Sequence, residues 1–179
     1  MSIVAGTPVP GHRAATQRRL FLRFAIGADT YVLDTHEIVQ VLPLARYKQM
    51  PGMPAWVAGL AMYHGRALPV IDMTALATGA AAARLTSTRV VVVDSPTGAD
   101  ANADADRRAP LGLILEKATE TAHYDPAAFL PSGLDHRDAP YLGPVLDTGA
   151  GLLQWLRVDD LVPVGVRERL FGAAAEAGT

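Results

Sequence analysis

The chain has 179 residues, 50% of them hydrophobic, with 16 Lys and Arg against 18 Asp and Glu, a formal charge of −2. That is length for one large or two small domains with a real core, and the balance supplies no overall basic field for nucleic acid or anionic lipid. With 6% aromatic residues and no cysteine, the composition argues against a base-stacking platform and excludes disulfides, thiolate nucleophiles and cysteine-ligated metal centres.

Residues 1–18 are small, polar and proline-containing, and are expected to be a disordered lead-in. Their apolar stretch, broken by Pro8 and Pro10, is too short for a secretory signal. No apolar run approaches the roughly 20 residues that span a bilayer. The expectation is a cytoplasmic protein with no direct membrane insertion. From Leu20, "LFLRFAIG" predicts a strand, "ADT" a turn, and "YVLDTHEIVQVLPL" a long bent second strand ended by Pro43. "PGMPAWVAG" should be a loop with one helical turn from Pro54. "GLAMYHGRALPVIDM", Gly59 to Met73, reads as a hairpin turning at His64-Gly65. "DMTALATG" follows as a short helix with Asp72 as N-cap and Gly79 as stop.

"RVVVVDS" is the clearest strand, and 96–110, rich in Ala, Asp and Gly, is expected to be a mobile surface loop. "PLGLILEKATETAHY" resumes a long strand, and "DPAAFLPSGLDHRDAP" is a turn-rich connection. "YLGPVLDTGAGLLQWLRV" repeats the strand–turn–strand pattern. "DDLVPVGVRERLFG" can form a last helix with Val162, Val166 and Leu170 four apart, before an Ala-rich frayed tail within 165–179.

The two halves look alike. Gly59 and Gly143 each open a strand, a turn and an apolar strand that ends at Ile71 or Leu156; Leu76 and Leu161 follow at the same distance. "TYVLDTHEIVQV" has its counterpart in "PLGLILEKATET". Each half is too small for a core of its own, so two five-stranded units must pack together and leave a groove between them. The expected division is 20–80 plus C-terminal elements for one unit and 88–158 for the other.

Catalytic patterns are missing. None of Ser2, Ser87, Ser95 and Ser132 sits in a nucleophile elbow, and no glycine pattern cradles phosphate. His12, His36, His64, His123 and His136 are not spaced as metal ligands. His36 and Glu37, read as strand neighbours, would point to opposite faces, and His36 and His123 are read as solvated surface. Asp135 to Pro140 is read as a solvated charged loop. Trp56 and Trp155 suit core or groove anchors. His64 has two readings, a turn residue that tolerates unusual dihedrals before glycine, or a contact for a protein partner.

Taken together, "YVLDTHEIVQVLPL", "PGMPAWVAGLAMYHGRALPVIDM", "TRVVVVDS", "LGLILEKAT" and "YLGPVLDTGAGLLQWLRVDDLV" resemble the CheW-like coupling-protein family over Leu20 to Val162. The most specific part is Pro51, Pro54, Trp56, Val57 and Gly59, then Gly65, Pro69, Val70, Ile71 and Asp72. The resemblance implies an all-β fold with a few short helices, two small five-stranded barrels packed on each other, within a domain over 19–164. It implies no enzymatic activity and no cofactor or metal. It implies coupling of the cytoplasmic tips of methyl-accepting chemoreceptors to a CheA-type histidine kinase, whose regulatory domain is itself CheW-like, at membrane receptor arrays.

Val39, Gln40, Val41, His64 and Arg66 are the receptor-facing candidates carried over by this resemblance, with neighbours on the Gly59–Tyr63 strand. The family often has glutamate where Gln40 stands and arginine where His64 stands. That would turn a charge pair into a mostly neutral hydrogen-bonding pair, with Arg66 supplying the lost positive charge. "HGRALPVIDMTALATG" also resembles the short CheW-like subunits of Wsp-type surface-sensing systems, whose output is a diguanylate cyclase regulator. The alternative reading is a small-molecule-sensing regulatory domain of the kinase complex.

Overall fold

The computed structural model describes residues 17–97, 108–133 and 137–176. Most of the expected lead-in (1–16), most of the expected loop (98–107), His136 and residues 177–179 lie outside that range. Among the described residues nine strands run in chain order: β1 (Arg19–Ile26), β2 (Asp29–Asp34), β3 (Ile38–Pro43), β4 (Val57–Tyr63), β5 (Arg66–Asp72), β6 (Arg89–Pro96), β7 (Arg108–Tyr124), β8 (Leu142–Asp147) and β9 (Leu152–Leu156). Two helices accompany them, α1 (Met73–Thr78) and α2 (Val164–Glu176).

The strands form two five-stranded units that share β7. Its first half, through Leu115, pairs antiparallel with β6 and in parallel with β5, which pairs with β4; β6 pairs with β3. The second half, from Glu116, pairs with β1, followed by β2, β9 and β8. Each unit therefore has one parallel pair, Val70–Asp72 with Gly112–Ile114 in the first and Thr30–Val32 with Leu153–Trp155 in the second.

This pairing corrects the division expected from sequence. Residues 19–34 do not join 38–80; they complete the unit built on β8 and β9, while β6 and the start of β7 complete the unit of β3, β4 and β5. The half-repeat is present, but the second strand of each half runs on into the other unit. In the second half that strand is β7, 17 residues long, which crosses at a register break where Lys117 adopts φ 52. In the first half, the expected long bent strand is two strands joined by a 3-10 turn, Thr35–Glu37. Asp34 ends β2 because its carboxylate accepts the His36 amide at 3.0 Å, pulling the chain out of the ladder.

Apolar side chains of the described residues form three clusters. Leu68, Val70, Val90, Val92 and Ile114 fill the first unit, and Phe21, Val32, Phe129 and Leu153 fill the second. The largest lies between the units, with Leu22, Phe24, Ile71, Val91, Val93, Leu113 and Leu156 at its centre. It forms because alternate residues of the inner strands present apolar groups on both faces, as "RVVVVDS" shows: Val90 and Val92 face one cluster, Val91 and Val93 the other.

The loop boundaries also shift. Pro96 belongs to β6, and Arg108, Ala109 and Pro110 already belong to β7. Around Pro54 there is a turn closed by Val57 N–H to the Pro54 carbonyl at 2.9 Å, not a helical turn. The last helix begins at Val164, after a turn in which Leu161 N–H meets the Val158 carbonyl, and it continues through 173–176 where a frayed tail was expected.

Candidate protein-docking face

The signature residues are explained by the architecture they hold. Asp72 caps α1: its carboxylate accepts the Ala75 amide at 3.0 Å and the Ala82 amide at 2.8 Å. Gly79 ends the helix at φ 78. The Trp56 carbonyl accepts the Asp72 amide at 2.8 Å, and the Tyr141 carbonyl accepts the Arg157 amide at 2.8 Å in the matching place of the second half. Val57, Pro69, Val70 and Ile71 are buried, Pro54 and Trp56 are half-buried, and Pro51 is exposed in the turn before them.

Gly59 stands where another chain segment crosses at close range. Lys48 and Leu60 exchange both backbone hydrogen bonds at 2.8 Å, so the stretch after β3 closes the seam between β3 and β4.

His64 and Gly65 turn the hairpin with φ 47 and 76. Positive φ at both central residues matches the twist of the flanking strands. The His64 ring packs edge-on against Tyr63, with centroids 4.3 Å apart. The bond to Gln40 comes from Tyr63 instead: its hydroxyl donates to Gln40 Oε1 at 3.0 Å. The resemblance left open whether Gln40 and His64 meet; the bond is made by Tyr63. A strand side chain, pointing across the seam, reaches Gln40; the turn residue does not. Arg66 and His64 are exposed at the hairpin tip and line, with Tyr63, Leu68, Pro69 and Phe171, a cavity of about 930 Å³.

Val39 and Val41 are 51% and 45% exposed, unusual for valines in a strand, and Met62 on β4 is 75% exposed. Gln40 and Tyr63 meet across the seam, so Val41 and Met62, next to them in their strands, face the other, outward way, and Val39, in the register break before Gln40, is exposed beside them. An exposed apolar strip on an edge strand is the surface feature most in need of a partner.

A second cavity, about 480 Å³, lies on the second unit beside the 3-10 turn and is lined by Trp155 and by polar groups including Arg19, Asp34, His36, Glu37, Arg157 and Asp159. His36 is not an isolated surface residue: its Nδ1 lies 2.8 Å from an Asp34 carboxylate oxygen. Burial pushes Asp34 up, but hydrogen bonds from the His36 amide and ring and from Arg19 outweigh it and hold the carboxyl below its usual range.

Glu37 is the opposite case. Burial, then the Asp34 and Asp159 carboxylates, push it up to about 7, against Arg108 and Arg157. In the unfolded chain it titrates near 4.5. Between those values the folded protein keeps a proton that the unfolded chain releases, so this group lowers stability as pH rises from 4.5 to 7. A tenfold change in proton affinity corresponds to about 1.4 kcal/mol, before solvent screening of a partly exposed group reduces it. Glu37→Gln is therefore expected to stabilise the protein by about 1–2 kcal/mol at pH 8 and little at pH 4.5. Urea melts at the two pH values measure it, and equal gains at both would refute it.

Among the described residues no group of three or more His, Asp or Glu could hold a metal ion, and no helix is long and apolar enough to cross a membrane.

Comparison with known proteins gives the family. A family model, the CheW-like domain, matches residues 20–164. The chain belongs to the CheW-like family. The crystal structure of the scaffolding protein TtCheW from Thermoanaerobacter tengcongensis superposes with a TM-score of 0.68, covering 84% of this chain and 92% of that one at 16% identity. The CheW fold seen there is consistent with two five-stranded barrels, the name used below for the two units. Protein PilI of Pseudomonas aeruginosa is 35% identical over 65 residues, and that match spans 36% of each chain.

Sequence reasoning reached Val39, Val41, His64 and Arg66, and the structure places them around one barrel seam. It missed Met62 by name, the bond from Tyr63, and Glu37. The exposed alternation in "AMY" after a signature glycine was the available signal for Met62. Glu37 depends on groups distant in sequence.

Proposed function

We propose that this CheW-like chain is a non-enzymatic adaptor that couples chemoreceptor signalling tips to a CheA-type histidine kinase and is recruited to receptor arrays in the cytoplasm. The observation that carries the receptor side is the outward strip of Val39, Val41 and Met62 beside the Tyr63–Gln40 bond. A helix laid along it would bury three side chains that the fold leaves in water. Family membership supports the kinase side, in which a regulatory domain of the same fold would dock barrel to barrel.

The test is capture of the cognate kinase regulatory domain and of the receptor tip by the purified chain. Binding of both supports the reading; a folded protein that captures neither refutes it. His64→Asn is the cleaner probe of the hairpin tip than His64→Ala, because asparagine keeps a positive-φ turn. His64→Asn is expected to weaken receptor capture severalfold with an unchanged melting temperature, and unchanged receptor affinity would return His64 to a turn role alone. Gln40→Glu with His64→Arg should place the family's common charges at both positions and shift receptor preference.

The pathway output is read from the regulator encoded beside the gene; a diguanylate cyclase there means cyclic di-GMP signalling. The second reading, a small-molecule sensor, draws on the cavity beside His64 and Arg66. A metabolite that raises the melting temperature would favour it.

A further inference from the structure

Charge is segregated along this chain in a way that its near-zero total hides. Residues 38–92 hold five cations, Arg46, Lys48, Arg66, Arg84 and Arg89, against one carboxylate, Asp72, a formal +4. The remaining residues hold 11 cations against 17 carboxylates, −6, which brings the chain to −2. Asp72 is only 8% exposed and is committed to two backbone amides, so it offers nothing to a partner.

Two of the five cations border the apolar strip. Lys48 is bridged antiparallel to Leu60 on β4, two residues before Met62. Tyr47, between Arg46 and Lys48, packs into the first barrel's cluster, so the two cations on either side of it turn away from that cluster beside β4. Both are exposed, and neither has an ion-pair partner among the described residues. Arg66 extends the positive region to the hairpin tip.

We propose that this face docks an acidic amphipathic helix, its apolar stripe on Val39, Val41 and Met62 and its flanking Asp and Glu side chains on Arg46 and Lys48. The inference deepens the adaptor reading and rests on it, because it names the chemistry of the receptor-side partner. The exposed apolar groups are two valines and a methionine, without the aromatic rings that stack on bases, which favours a helix over nucleic acid. The apolar contact supplies affinity, and the complementary charge sets orientation and association rate.

Two synthetic helices test it, with the same leucine stripe at i, i+3, i+4 and i+7 flanked either by Glu or by Lys, titrated by fluorescence anisotropy. The Glu helix is expected to bind at least tenfold more tightly at low salt, with the advantage shrinking severalfold near 0.5 M NaCl. Arg46→Glu with Lys48→Glu should reverse the preference. Met62→Asp should weaken binding of the Glu helix about tenfold at an unchanged melting temperature. Equal binding of the two helices, an unchanged preference in the double variant, or tighter capture of anionic vesicles than of the Glu helix would overturn the proposal. Retained capture of receptor tip and kinase alongside such a result would sink the acidic-helix inference alone; loss of both captures would sink the adaptor reading.

Discussion

Gly59→Ala is expected to destabilise the protein by about 3–5 kcal/mol, by forced displacement of the barrel seam as well as by backbone strain. At φ +131 the backbone is in a region nearly closed to residues with a Cβ. A Cβ at this position would collide with the Lys48 carbonyl oxygen and stand 3.1 Å from the Tyr47 Cβ. Neither neighbour is free to move: Lys48 exchanges two hydrogen bonds with Leu60, and Tyr47 packs against the first barrel's cluster. Gly65→Ala is the internal control. Gly65 has φ +76 with nothing within 4 Å of a new Cβ, so strain alone acts there, about 1–2 kcal/mol. Denaturant midpoints of the two variants separate collision from strain. A Gly59→Ala loss no larger than that of Gly65→Ala would refute the crossing.

Phe21→Ala should cost a comparable amount, about 3–5 kcal/mol, and roughly 10 °C in melting temperature. Phe21 is fully buried in the smallest cluster, where it touches three other rings: Trp155 at 4.9 Å edge-on, Phe129 at 5.5 Å and Tyr124 at 6.0 Å between centroids. Among the described residues, Val32, Phe129 and Leu153 are the other buried hydrophobics of that interior, walled by the large rings of Tyr124 and Trp155, so the cavity has little around it that can collapse inward. Trp155 also lines the cavity beside His36 and Glu37, so its fluorescence should change with the loss of packing. A loss below about 1.5 kcal/mol would mean that the second barrel repacks freely.

Much of the fold was legible in the residues alone. Apolar alternation located every strand segment, with β2 and β3 read as one, since a half-buried strand must alternate and an inner one must be apolar throughout. Asp72 and Gly79 bounded α1 because capping chemistry is local, and His64-Gly65 marked the hairpin for the same reason. The long strand was misread at Asp34, whose side chain bonds back to the His36 amide and breaks the ladder. A carboxylate there looks in sequence like any polar strand residue. The charge reading failed differently: a total of −2 concealed +4 on residues 38–92, because a sum over the chain discards position.

The candidate face was legible only in part. Val39 and Val41 were identified through family resemblance, while Met62 was covered only as a neighbour of the hairpin strand. Which polar partner Gln40 takes depends on the geometry of the seam, and there Tyr63 reaches it at 3.0 Å while His64 is spent on the turn. Glu37's raised pKa likewise depends on burial and on the Asp34 and Asp159 carboxylates, against Arg108 and Arg157, and most of these groups are brought beside it only by the fold.

The sequence by itself determined the strand segments, the hairpin turn, the helix caps, the internal repeat and the family. Each rests on local chemistry or on a motif whose spacing survives without long-range information. Only the tertiary structure decided which half completes which barrel, because strand pairing joins segments up to about 120 residues apart, as in β2 with β9. That exchange places the seam of β3 and β4 at an edge. There the outward residues of a strand meet solvent instead of the inter-barrel core, and Val39, Val41 and Met62 are left for a partner.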